Sequence, residues 1–278
     1  MNSVRIHDMQ GQGWRAELQL KFAARRDRTC LVSRRHTGPL LVQRPFYPEG
    51  NPCHAYIVHP PGGIVGGDEL RLEATASDSA QVVLTTPAAT KFYRSDGPIA
   101  RQMQVLTATS SDLEWLPQET IFYPGSLVRS ETRIQLGPEA RFIGWEIPCL
   151  GLPARNEPFD TGELRLNLEL WRETTPLLID RMNIRGDSAA RKALWGLAGY
   201  EAVGTLLAYP ADRIALALTR EATSTDVQFA ATLVDGVLVC RGVAAQAQPI
   251  KELFVAIWRS LRPHLLGRPA VLPRIWAT

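Results

Sequence analysis

Apolar and polar residues alternate with a period of two through most of this chain, and that alternation limits its fold more than any other feature. From Trp14 to Phe22 the apolar residues Trp14, Ala16, Leu18, Leu20 and Phe22 alternate with arginine, glutamate, glutamine and lysine. Leu70, Leu72, Ala74 and Ala76 repeat the pattern, as do Leu164, Leu166, Leu168 and Leu170. Successive side chains of a strand point to opposite faces, so each stretch predicts a strand with one buried and one wet face. Val82–Leu84, Val128–Leu136, Phe142–Ile147, Leu177–Ile184 and Ile214–Leu218 predict further strands. In TLVDGVLV, Asp235-Gly236 joins two β-rich arms and predicts a hairpin with a type I′ turn.

Helical periodicity is scarce. Ile250, Leu253, Phe254, Ile257, Trp258 and Leu261 fall on one helical face, with Pro249 in the first turn and Pro263 and Gly267 ending the pattern. DSAARKALWG predicts a weaker helix capped by Asp187 or Ser188. No fixed-period repeat, low-complexity tract or linker-like break interrupts the chain. The expectation is therefore mainly β: one domain over residues 1–278, with many short strands in stacked twisted sheets and about two α-helices.

With 278 residues, 45% of them hydrophobic, the chain can bury a large core, and 21% charged residues argue against disorder. A net charge of +3, without any basic-aromatic stripe, predicts no nucleic-acid partner. Nearly all basic residues are arginine, which genomic base composition explains more simply than phosphate recognition. Cys30, Cys53, Cys149 and Cys240 form no CxxC pair, which predicts a reducing, cytoplasmic setting. The opening MNSVRIHDMQGQG has no apolar segment of the kind a secretory signal needs, and no apolar run is long enough for a membrane span.

Four glycines and two prolines in HPPGGIVGGDEL, His59–Leu70, suggest a phosphate loop. A Walker loop needs lysine after its last glycine, but Asp68 follows Gly67 and would repel phosphate. A dinucleotide loop needs G-x-G-x-x-G opening a helix, and the residues that follow here alternate like a strand. Two readings remain: a tight connection between strands, or a glycine-lined binding edge. LTTPAATKFYRSDG, Leu84–Gly97, reads as a surface loop carrying Lys91, Arg94 and aromatic contacts. In LEWLPQETIFYPGS, Glu119 lies between apolar residues, either near the core with a partner or metal, or as a turn acid bonded to amides.

Metal-ligand spacing is poor. His54 and His59 face opposite sides of a strand, and Cys53 and His59 lie about 20 Å apart if extended. No GxSxG appears. Glu119, Glu146 and Glu157 supply the carboxylates for the competing reading, an all-β hydrolase acting on a carbohydrate-like substrate. A plain binding module without a metal role is the third.

Taken in order, HPPGGIVGGDEL, LTTPAATKFYRS, LPQETIFYPGS and LRPHLLGRPAVLPRIWAT resemble the urease accessory protein UreD (UreH) family over nearly the whole chain. Of the family motif G-R-x-A-x-G-E-x-F, Gly151, Ala154, Glu157 and Phe159 match, while Leu152 and Asn156 replace the usual arginine and glycine. The resemblance implies an all-β, non-catalytic scaffold that binds a UreF-like protein and, through it, a UreG-like GTPase. The assembly docks on apo-urease and delivers nickel(II), held only in transit and with no tightly bound cofactor. It also implies a nickel passage, for which Asp68, Glu119 and Glu157 are the weak-transit candidates. Thr86, Ser95, Lys91, Arg94 and Trp258 are the candidates for lining it or meeting a partner. The helix carrying Trp258 and the tail PRIWAT are candidate contacts, with core packing the alternative for Trp258.

Overall fold

The alternating segments build two stacked sheets, and the chain passes repeatedly from one to the other. The computed structural model describes residues 13–277; residues 1–12, where no signal segment was expected, and Thr278 lie outside the described residues. The first sheet has seven strands in the order Thr175–Arg185, Glu163–Arg172, Leu127–Leu136, Ala100–Ala108, Glu69–Ser77, Arg15–Arg25 and Arg28–Thr37. The five central strands are mutually parallel, and the two edge strands pair antiparallel.

Parallel neighbours need a long return path. Here the second sheet supplies it. Each passage along the first sheet is followed by a strand of the second, and Cys53–Val58, Gln81–Thr85, Asp112–Trp115 and Arg141–Glu146 are again parallel neighbours. A third, shorter parallel ladder, Thr90–Phe92, Thr120–Phe122 and Pro148–Leu152, completes each turn. The chain thus coils like a solenoid. Its turns enter the first sheet at Glu69, Ala100, Leu127 and Glu163, at unequal spacing, which is why no fixed period is visible in the sequence.

Pleating explains the first core layer. Ala16, Leu18, Leu20 and Phe22 are buried against Leu70, Leu72, Ala74 and Ala76, while Trp14, before the first strand, stays 60% exposed. The second layer lies on the far side of the second sheet, under two helices, α1 (Arg213–Arg220) and α2 (Ala247–Leu266). Ile250, Leu253, Phe254, Ile257, Trp258 and Leu261 of α2 are all buried there. Gly267, at φ +70°, ends α2, whereas Pro263 lies inside its last turn and does not end it. The hairpin Gln228–Val234/Val237–Ala244 turns at Asp235 and Gly236, both at positive φ as a type I′ turn requires.

Two local readings need correction. Ile214–Leu218 lies in α1, not in a strand. Asp212 accepts the Ala215 amide at 2.8 Å and caps the helix, and alanine and leucine are good helix formers whatever their alternation. DSAARKALWG forms only a 3₁₀ turn, Ala189–Arg191, capped by the Ser188 hydroxyl. Asn156 has φ +55°, a left-handed conformation asparagine tolerates better than most residues, so it can serve where the motif has glycine.

Candidate functional site

Between the two sheets the core is interrupted by a cavity of about 330 Å³. Its cause is legible in the pleat. The inward positions of Ala100–Ala108 are Ala100, Gln102, Gln104, Leu106 and Ala108; those of Leu127–Leu136 are Val128, Ser130, Thr132, Ile134 and Leu136. Apolar ends thus flank a polar middle on two adjacent strands. Because the strands pair in register, Gln102 meets Ser130 at 3.4 Å and Gln104 meets Thr132 at 3.2 Å.

Glu146 enters this space from the second sheet and accepts a hydrogen bond from the Thr132 hydroxyl. Burial pushes its carboxyl up to about 7; the nearby Asp180 carboxylate adds to that, and the Thr132 bond opposes it. Glu146 is half-buried and lines the cavity. A second, smaller space of about 30 Å³ adjoins the first, and Glu146, Pro148 and Leu166 line both. Asp180 and Thr205 line its far side, where Asp180 pairs with Arg241 at 2.7 Å.

At the other end the main cavity is bordered by the glycine-rich loop, through His59, Gly62 and Gly63, and by Thr86 to Lys91. Burial lowers the pKa of His59, opposed by the Asp68 charge. Gly63 and Gly66 are required by close approach: a Cβ on Gly63 would lie 2.0 Å from the Tyr93 ring, and one on Gly66 2.0 Å from Ser95 Oγ. The loop is docked on its neighbour by Ile64 N–Lys91 O and Tyr93 N–Ile64 O bonds, both 2.8 Å. It is therefore a tight connection between strands and, at once, an edge of the cavity.

The expected site residues scatter. Thr86 and Lys91 line the cavity, and Thr86 Oγ1 accepts the Gln118 amide at 3.0 Å. Asp68 is buried, with its carboxylate accepting the Trp14 and Val65 amides at 2.8 and 2.9 Å, so it holds the loop. Ser95 donates to Pro98 O at 2.5 Å within its own turn, and Arg94 is exposed. Glu119 and Glu157 do not line the cavity; Glu157 is exposed on the two-residue strand Glu157–Pro158. Of the carboxylates Glu119, Glu146 and Glu157, only Glu146 lines the main cavity, so these three share no cleft. Among the described residues no group of three or more His, Cys, Asp or Glu side chains could hold a metal ion.

Trp258 is fully buried, and its Nε1 donates to Glu114 Oε2 at 2.7 Å. Glu114, overlooked beside Glu119 in the same motif, is the motif's buried carboxylate. It also takes Arg262 Nε at 2.9 Å and an Arg268 nitrogen at 3.1 Å. Arg262 reaches on to Glu49 at 2.6 Å, and Glu49 meets His54 at 2.6 Å. Burial disfavours the Glu49 charge, but hydrogen bonds from His54 and Arg262 outweigh it and hold the carboxyl at about 2. This network anchors α2 to the coil. The tail also turns inward: Trp276 is half-buried between Trp145 and Trp258, and its Nε1 donates to Thr85 Oγ1 at 2.9 Å.

Comparison with known proteins gives a consistent relationship. The family described as UreD urease accessory protein matches residues 14–277. A urease accessory protein UreD of Citrobacter koseri is 44% identical over 274 residues, covering 98% of this chain and 94% of its own. One from Escherichia coli is 43% identical, with 98% and 100% covered, and one from Klebsiella aerogenes 42%, with 96% and 98% covered.

Proposed function

The chain belongs to the UreD urease accessory protein family, and from that premise we propose that it is a non-catalytic scaffold of urease maturation. In this reading it works in the cytoplasm as a single unit. It binds a UreF-like protein and through it a UreG-like GTPase, docks on apo-urease, and assists nickel insertion. No helix is long and apolar enough to cross a membrane among the described residues.

The observation that carries the nickel part of the reading is the polar seam inside the core, Gln102, Gln104, Ser130, Thr132 and Glu146. Burying such groups in a β-stack costs stability unless each finds a hydrogen bond, a demand that apolar side chains would not make. A route for nickel must hold the ion weakly at several points, since imidazole and thiolate clusters would retain it. Amide and hydroxyl oxygens with one carboxylate meet that need. Glu146 replaces Asp68, Glu119 and Glu157 as the proposed transit carboxylate, because it alone of these four lines the cavity. Asp68 serves the loop instead.

Co-expression of urease structural subunits with the accessory proteins, with and without this chain, tests the role at ordinary nickel concentration. The reading predicts inactive, nickel-poor urease in its absence. Full activation without it would sink the proposal.

A further inference from the structure

Among the described residues no helix covers the outer face of the seven-stranded sheet, because α1 and α2 both pack on the other sheet. Register places Arg101, Arg129 and Arg165 directly side by side on three adjacent parallel strands. Neighbouring strands lie about 4.8 Å apart, and like charges held opposite one another are destabilising. The outer two are partly compensated: Arg101 lies 3.9 Å from Glu69, and Arg165 pairs with Glu163 at 2.8 Å. Arg129, in the middle, has no ion pair among the described residues, and its Nε is buried without a hydrogen-bond partner. A groove of about 250 Å³ lies over this position.

We propose that this arginine row is a docking track for an acidic segment of a partner protein, with a carboxylate taken by the fork of Arg129. A planar guanidinium matches a carboxylate in a two-pronged geometry through its terminal nitrogens, and an incoming one would relieve the repulsion along the row. Glu69 and Glu131 border the same groove. They would repel the continuous charge of a nucleic-acid backbone, but a peptide can set a lysine or a neutral residue against them. The arginines of the track lie on the outer face of the sheet, although Leu70, Gln102 and Met103 line both the groove and the cavity.

Anisotropy of a labelled acidic peptide whose glutamates are interspersed with lysine and serine, titrated with the full chain at low salt, tests the proposal. Arg129→Gln and Arg165→Gln should each weaken binding about tenfold. Arg259→Gln, exposed on α2, should leave it unchanged. Equal binding by a natively folded Arg129→Gln variant, absence of binding by the unaltered chain, or tighter binding of a single-stranded oligonucleotide would each overturn it.

Discussion

Thr132 donates its hydroxyl to Glu146 between the two sheets, so a carboxyl on one sheet is held by a hydroxyl on the other. The bond sits where a β-stack would normally be filled with methyl groups. It fixes Glu146 at the junction of both internal spaces.

Folded-state pKa elevation of Glu146 sets the first prediction. Its carboxyl titrates near 7 in the fold, against an ordinary value of 4.5. The unfolded chain therefore loses this proton first, and stability falls as pH rises between those values. Glu146→Gln removes that loss. The variant should match the parent at pH 5 and exceed it by on the order of 2–3 kcal/mol at pH 8 in urea unfolding. Equal stability at both pH values would contradict the placement of this charge.

Breaking the anchor of α2 should be costly. Glu114→Gln leaves Arg262 buried with one carboxylate fewer, and a loss of about 3–5 kcal/mol is expected. Replacing Glu114 and Arg262 together with leucine should recover part of that loss, since no buried Arg262 is then short of a carboxylate, while Glu49 keeps His54 and Arg268 keeps Asp112. Thermal unfolding of the single and double variants measures the coupling.

Acid exposes the same network. The carboxyl of Glu49 is depressed to about 2, so its contribution is complete above its ordinary 4.5 and is lost as pH falls through 2. Glu49→Gln should flatten the acid limb of the stability profile between those values. A profile unchanged by the substitution would remove Glu49 from the anchor.

Asp68 offers a test of loop against route. Asp68→Ala leaves two amides without acceptors, and about 2 kcal/mol of stability should be lost. Melting temperature should drop, and nickel delivery should follow the amount of folded protein. Undiminished stability with nickel-poor urease would restore Asp68 to the route.

Much of the architecture was legible in sequence because pleating repeats every second residue. Leu18, Leu72 and Leu168 are buried as their alternation implies. The hairpin at Asp235-Gly236 and the apolar face of α2 were equally readable, since turn and helix signals are local. Parallel coiling was not, because it depends on which distant segments pair. Ile214–Leu218 misled because a five-residue alternation is too short to distinguish strand from helix without its cap. The seam was in plain view: Gln102, Gln104, Ser130 and Thr132 occupy the apolar parity of their strands. The conspicuous loops carry acids of another kind: Asp68 clamps its loop and Glu157 is exposed. From spacing alone Glu146 reads only as half of an acid pair. Thr132, which bonds Glu146, and Asp180, whose charge opposes its own, lie on other strands, beyond the reach of local spacing.

Nickel content of urease assembled with the Glu146→Gln variant tests the central claim most directly, because that substitution should strengthen the fold while weakening the oxygen-lined route. The account predicts that the accessory complex still co-purifies at normal yield and that nickel per urease active site falls several-fold at limiting nickel. Full nickel occupancy with the variant would contradict it.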